Sequence, residues 1–327
     1  MERCARRVVP ALFPYMVVSS MLTSTGAAEA GGRLIPVAKI FGLSPSSSAA
    51  ILLGAVCGFP VGAQCACQLY KKGCIGKSEA SALISIANNT GPSFVVGVIG
   101  AGMWNSPSFG WALYFAQLVS AFIAGIIVTR LLLPPVIIET DQRFTREYRN
   151  PFLMFTEAVR SSAAGCVYIS GFVVFFSVIA AFVRLVSETL PDKAYMLFAA
   201  VLEITEGTYA SASIGGAAGA AICGFAVGFS GLSVMCQAAA FALPEGISLK
   251  RTMCLKLLQG AICAGLCAVS TTFFPSLIPA STPVFAANIC PVMAPWLAAA
   301  ILALTGLSPL ATLYIKEKLY THLVKKT

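Results

Sequence analysis

Charge is what this sequence has least of. Asp, Glu, Lys and Arg make up 11% of its 327 residues, against 57% apolar residues. A water-facing domain carries about 25% charged residues. The deficit is too large to cover a soluble surface, so the composition specifies an all-α polytopic membrane protein. Histidine is almost missing as well, His322 near the C-terminus being the single one. No Cys-x-x-Cys occurs among the twelve cysteines. The closest group is Cys57, Cys65, Cys67 and Cys74, and the others, such as Cys166, Cys223, Cys236, Cys254, Cys263 and Cys267, are scattered through apolar segments. There cysteine acts as a small hydrophobe, and no metal site is expected. No basic stripe interleaved with aromatics is present, which excludes nucleic acid as a partner. No nucleophile–base pair or metal constellation can be assembled, so no enzyme and no cofactor are expected.

The charge that is present is mostly basic, net +9. Lys and Arg sit at segment ends and in loops, as the positive-inside rule requires. The same excess would attract anionic lipid or an anionic solute. The N-terminus, "MERCARRVVPALFPYMVVSSMLTSTGAAEA", has the shape of a signal peptide, but Pro10 and Pro14 interrupt its apolar part and favour a first membrane helix. Apolar segments follow at about 8–25, 46–70, 78–104, 109–133, 162–187, 195–243 (interrupted), 253–278 and 291–314. Each uninterrupted one is near the ~20 residues a span needs. The polar stretch "PPVIIETDQRFTREYRNPF", with Arg143, Arg146 and Arg149, and the tail "KEKLYTHLVKKT" belong on the cytoplasmic side. The chain therefore divides into a first membrane repeat at 1–133, a cytoplasmic linker at 134–160, and a second repeat with the basic tail at 161–327.

The repeat rests on "GFPVGAQCACQ" (Gly58 to Gln68) and "GFSGLSVMCQ" (Gly228 to Gln237). With one gap, Gly58 aligns with Gly228, Phe59 with Phe229, Gly62 with Gly231, and Cys67-Gln68 with Cys236-Gln237. Each block is followed by a short basic turn and another long apolar helix. Duplicated halves with broken segments at matching places point to a transporter's binding site.

Three stretches carry chemistry. "NNTGPS" lies inside an apolar run, where Pro92 removes a helix donor and Gly91 loosens the helix. Unwound backbone at membrane depth is tolerated only where it is buried in protein or lines a wet cavity. Asn88, Asn89, Thr90 and Ser93 add side-chain donors and acceptors at that place. The stretch reads as a solute site at a helix break, or as a kink whose amides bond neighbouring helices. "GFPVGAQ" is the second break: Gly58, Pro60 and Gly62 interrupt a segment too long for one span, and Gln64 and Gln68 share a helix face. A helix restarting near Val61 would offer free N–H groups and a partly positive end to a carboxylate. This break forms a re-entrant hairpin or a simple kink. Ser230, Gly231, Ser233 and Gln237 occupy the matching break. The third stretch is "VLEITEGTYASAS". Glu203 and Glu206 are neighbours on one helical face after an apolar run. An ionisable group in a membrane segment is a functional hypothesis by default. Glu203 is read as a ligand for Na+, H+ or the solute, or as a group solvated at the membrane boundary. The remaining acidic residues lie near termini, basic neighbours or loops. "SIGGAAGAAICGFAVG" has small residues at helical spacing and predicts close helix packing.

At "ALFPYMVVSSML", "GFPVGAQ…LYKKGCIGKSEA", "NNTGPSFVVGVIGAGMW", "LEITEG" and "GFSGLSV" the sequence resembles the YlbJ/SpoVV family of sporulation integral membrane proteins, within the nucleoside-recognition Gate group. That group is similar to concentrative nucleoside transporters, with re-entrant hairpins around a central solute site. The resemblance implies a sporulation transporter that moves dipicolinic acid across the outer forespore membrane, driven by Na+ or H+ if it is coupled. It places Gly58, Pro60, Gly62, Asn88, Asn89, Gly91, Pro92, Glu203 and Gly231 at motif positions. The partners implied are a small-molecule solute and the lipid bilayer, with a homo-oligomer or a sporulation membrane partner allowed. A non-transporting scaffold in spore cortex or envelope assembly, and a nucleoside transporter, stay open as alternatives.

Overall fold

The computed structural model describes residues 9–25, 36–132, 150–186 and 192–277. Every regular element among them is helical. Among the described residues, four stretches are long and apolar enough to cross a membrane: Pro107–Leu131, Pro151–Val183, Gly216–Glu245 and Lys250–Phe273. The protein is an all-α integral membrane protein. The expected span at 291–314, the polar loop from 133 to 149 and the basic tail lie outside the described residues.

The apolar segments fold in two ways. Some form single helices. These are α1 (Val9–Thr25), α5 (Pro107–Ile127), α6 (Pro151–Val186) and α11 (Lys250–Phe273). Helix α6 begins inside the expected linker, so the helical second half starts earlier than residue 161. The cause is local: Asn150 Oδ1 accepts from Phe152 N at 2.9 Å, and Pro151 takes the first helical position, where no donor is needed.

The others are broken, as their Gly and Pro content predicts. Segment 46–70 becomes α2 (Ser48–Cys57) and α3 (Val61–Lys71), which pack side by side around the turn Gly58–Pro60. Segment 78–104 becomes α4 (Lys77–Ala87), an unwound stretch at Asn88–Gly91 and a π-helix at Ser93–Met103. Segment 195–243 becomes four helices: α7 (Asp192–Leu202), α8 (Ile204–Ile214), α9 (Gly216–Phe229) and α10 (Gly231–Ala242). Helices α7 and α8 fold against each other around Glu203, so closely that a Cβ on Gly207 would fall 2.3 Å from Ala200 Cα.

The aligned motifs "GFPVGAQ" and "GFSGLS" take different geometries. In the first, Gly58, Phe59 and Pro60 leave the helix and the chain folds back. In the second, Ser230 alone interrupts, and α9 and α10 together form one stretch of membrane-crossing length.

Small residues set the closest packing, as expected for helices in lipid. Helix α9 lies on α11, where a Cβ on Gly224 would fall 2.8 Å from Cys263 O and one on Gly228 would fall 2.9 Å from Gln259 O. Helix α4 is pinned to the same α11 by Ser85 Oγ and Thr252 Oγ1, 3.0 Å apart, and to the turn just before it by Ser81 Oγ donating to Ser248 O. Helix α11 is thus enclosed by α4, α5 and α9, which decides what its polar residues can meet.

Candidate functional site

The breaks meet in pairs. Gly58 sits at φ +81, and a Cβ there would fall 2.5 Å from Gly91 N. A side chain fits neither that backbone conformation nor that space. A Cβ on Gly62, in the first turn of α3, would reach to 3.0 Å from Asn88 N. The hairpin turn Gly58–Pro60, whose Phe59–Pro60 bond is cis, therefore lies directly on the unwound Asn88–Gly91 stretch. The second pair is built alike. Gly231, at φ +79, brings its backbone against Leu202 O, Glu203 Cα and Ile204 N, each within 3.3 Å of a Cβ position.

The two pairs touch at one atom. Ser230 Oγ donates to Val227 O at 3.2 Å, and Thr90 Oγ1 donates to the same carbonyl in a long bond of 3.5 Å. Ser230 holds the left-handed conformation at φ +70, which non-glycine residues rarely adopt.

Around this junction runs a polar network that crosses three elements. Asn89 Nδ2 donates to Ile86 O at 2.8 Å and fastens the unwound stretch to the end of α4. Asn89 Oδ1 accepts from Lys256 Nζ and from Gln259 Nε2, both at 3.1 Å. Lys256 Nζ also donates to Gln259 Oε1 at 2.8 Å. Gln117 Nε2, from α5, donates to Thr90 O at 2.9 Å and supplies a partner that the lost helix would have provided. Asn88 is fully buried, yet its Oδ1 and Nδ2 have no hydrogen-bond partner among the described residues.

The expected site residues divide accordingly. Gly58, Pro60, Gly62, Asn88, Asn89 and Thr90 come together at the first pair, and Glu203, Ser230 and Gly231 at the second. Ser93 is half-buried at the start of the π-helix. Gln64 is buried with Oε1 unpartnered. Gln68 turns away, its Nε2 donating to Ser20 Oγ of α1 at 3.4 Å, so it ties helices rather than facing the breaks. Ser233 is buried and accepts from Gln237 Nε2 at 3.5 Å within α10.

Glu203 is buried and not solvated at a membrane boundary. Its carboxylate caps α8: Oε2 accepts from Thr205 N at 2.7 Å and Glu206 N at 3.0 Å, and Oε1 accepts from Thr205 Oγ1 at 3.2 Å. Its negative charge thus faces the positive end of that helix. Helices α3 and α10 also start at the breaks, but neither has a side-chain cap. Glu206 is half-buried.

Sequence reasoning missed Lys256, Gln259, Gln117 and Glu79. Lys256 and Gln259 are three apart within the apolar run after "SLKRT", hence on one helical face. The rule that singled out Glu203 would have found Lys256 too. Glu79, one of the acids grouped as lying near termini, basic neighbours or loops, is fully buried; its Oε1 collects three donors, Ser44 N at 2.7 Å and Ser44 Oγ and Ser47 Oγ at 2.6 Å each, while its Oε2 has no partner among the described residues. It ties α4 to the turn before α2 and lies about 15 Å along the chain from Asn89 at helical rise. No group of three His, Cys, Asp or Glu side chains close enough to hold a metal occurs among the described residues.

These features define a helical membrane protein with a buried, partly unsatisfied polar centre where broken helices cross. The chain is similar to the sporulation integral membrane protein YlbJ of Bacillus subtilis (strain 168), 25% identical over 299 residues, which covers 79% of this chain and 72% of that protein. No family model matches, and no solved structure matches.

Proposed function

We propose that this chain is a sporulation transport protein that moves a small anionic aromatic solute, dipicolinic acid foremost, across the outer forespore membrane. The observation that carries the reading is Asn88. An amide buried without partners costs about 1–3 kcal/mol, and such groups in native proteins call for an explanation. A solute carboxylate that arrives at the crossing and accepts from Nδ2 supplies one for the donor half of that amide. The uncapped starts of α3 and α10 favour an anion there, since helix N-termini present N–H groups and positive potential.

The order of elements supports a repeated, transporter-like architecture. A hairpin (α2–α3), a broken segment (α4 and the π-helix) and a full-length helix (α5) are followed by a hairpin (α7–α8), a broken segment (α9–α10) and a full-length helix (α11). In this register the Gly58–Pro60 turn corresponds to Glu203, and the Asn88–Gly91 break to Ser230–Gly231. Each hairpin turn then meets the break that follows it. Broken segments that meet near mid-membrane are where such proteins hold their solute. The similarity to a sporulation membrane protein supports the cellular setting.

The test is dipicolinic acid content in spores of a strain lacking the gene, complemented with wild type or with Asn88→Ala. Wild type is expected to restore the acid, and the variant, at equal membrane abundance, to fail. Full rescue by Asn88→Ala would remove the site from the crossing. No rescue by wild type would refute the solute.

A further inference from the structure

We propose that Lys256 is the counter-charge for a carboxylate of the transported solute, a partner that no described residue gives it in the empty site. The inference rests on the reading of the crossing as a solute site. Lys256 is fully buried. Its ammonium group has three donors, and two of them meet neutral amide oxygens, Asn89 Oδ1 and Gln259 Oε1. Among the described residues no carboxylate lies within ion-pair distance of it. The buried acids are not paired with it: Glu203 accepts at the start of α8, and Glu79 accepts on Oε1 from Ser44 and Ser47 while its Oε2 has no partner among the described residues. A buried ammonium without a counter-ion is costly, and long buried chains of this kind are seldom found unpaired.

A purely structural lysine would be an awkward choice at this position. Neutral partners could be tied together by a glutamine at lower desolvation cost. What Lys256 adds is charge, placed on Asn89, next along the chain from the unpartnered Asn88. An entering carboxylate would accept from the remaining Lys256 N–H and from Asn88 Nδ2, giving Lys256 a counter-ion and the orphaned amide nitrogen a partner. A neutral solute could do only the second. The site therefore selects carboxylates over uncharged ring compounds by charge as well as by shape.

The experiment measures binding to the purified full chain in detergent. The probes are dipicolinate, its neutral diamide, benzoate and uridine. The proteins are wild type, Lys256→Gln, Lys256→Arg and Asn89→Asp. Removing one partner of a buried charge pair typically costs 2–5 kcal/mol, so Lys256→Gln should bind dipicolinate roughly 30-fold more weakly or worse. The diamide should bind equally to both, and Lys256→Arg should retain part of the anion affinity. Asn89→Asp keeps the fold testable from the other side. It gives Lys256 an internal carboxylate, so it should melt higher than wild type when empty and lose dipicolinate binding. Equal dipicolinate affinity in wild type and Lys256→Gln would overturn the counter-charge role and leave the transport reading standing. Lys256-dependent binding of benzoate without dipicolinate would keep the role and refute the proposed solute. Wild type that binds uridine alone, or none of the probes, would overturn both.

Discussion

Replacing Gly58 by alanine tests the crossing of the two breaks more directly than any change of a polar group. The added Cβ would sit 2.5 Å from Gly91 N and 2.9 Å from Gly91 Cα, both backbone atoms that cannot swing aside as a side chain does. The residue would also have to hold φ +81. With ψ at −174, Gly58 lies in the extended positive-φ region that is essentially reserved for glycine; holding it costs an L-residue about 1–3 kcal/mol, and overpacking a tight contact costs about 1–3 kcal/mol. The sum, about 2–6 kcal/mol, is a large part of ordinary protein stability. At ~2–4 °C per kcal/mol it corresponds to a fall in melting midpoint of roughly 4–24 °C. The assay is thermal unfolding of the detergent-purified chain, with membrane abundance and solute uptake measured alongside. Gly97→Ala is the matched control, because a Cβ at Gly97 meets nothing within 4 Å and the residue is helical. It should melt at or slightly above wild type. Gly58→Ala protein that melts with wild type and transports normally would refute the close crossing and with it the site.

Three further outcomes follow from the same geometry. Asn88→Leu removes a buried amide that satisfies nothing, so the empty protein should be as stable as wild type or up to about 2 kcal/mol more stable while solute binding is lost; a destabilised variant with intact binding would make Asn88 a packing residue. Ser230→Gly relieves a left-handed serine at φ +70 and should raise stability by about 1 kcal/mol, with uptake falling as the hydroxyl bond to Val227 O disappears; a lower melting midpoint would show that the hydroxyl outweighs the strain. Glu79→Ala strands Ser44 N and two hydroxyls in a buried place and should cost about 3 kcal/mol or more, whereas Glu79→Gln should retain most of the stability, both read by thermal unfolding.

The sequence showed where the helices fail and not which way the chain goes afterwards. Gly58-Phe59-Pro60 and Asn88 to Pro92 both stop a helix through chemistry that acts within a few residues, so both breaks were legible. Whether the next helix folds back, as α3 does on α2, or continues, as α10 does after α9, depends on what lies beside it. That depends on residues far along the chain. The alignment of Gly58 with Gly228 matched two breaks by composition and paired a turn with an interruption for this reason.

The buried charged residues were unequally legible for a related cause. Glu203 stood out because an acid after an apolar run is unusual, yet its carboxylate is occupied by Thr205 N and Glu206 N at the start of α8. Lys256 does not stand out in the sequence, because Lys250 and Arg251 lie just before it and basic residues at a segment end follow the positive-inside rule. At ~1.5 Å per residue, Lys256 lies about 9 Å deeper along the helix than Lys250. That is too deep to be an ordinary anchor once α4, α5 and α9 surround it. The two ionisable groups thus have opposite standing. Glu203 carries a charge that its own helix start answers. Lys256 has no carboxylate partner among the described residues and donates instead to the same amide network that fixes the unwound Asn88–Gly91 stretch. On the proposed reading of the crossing as a solute site, Lys256 Nζ, Asn88 Nδ2 and the uncapped starts of α3 and α10 are the groups that would favour an anion, while Asn88 Oδ1 would not.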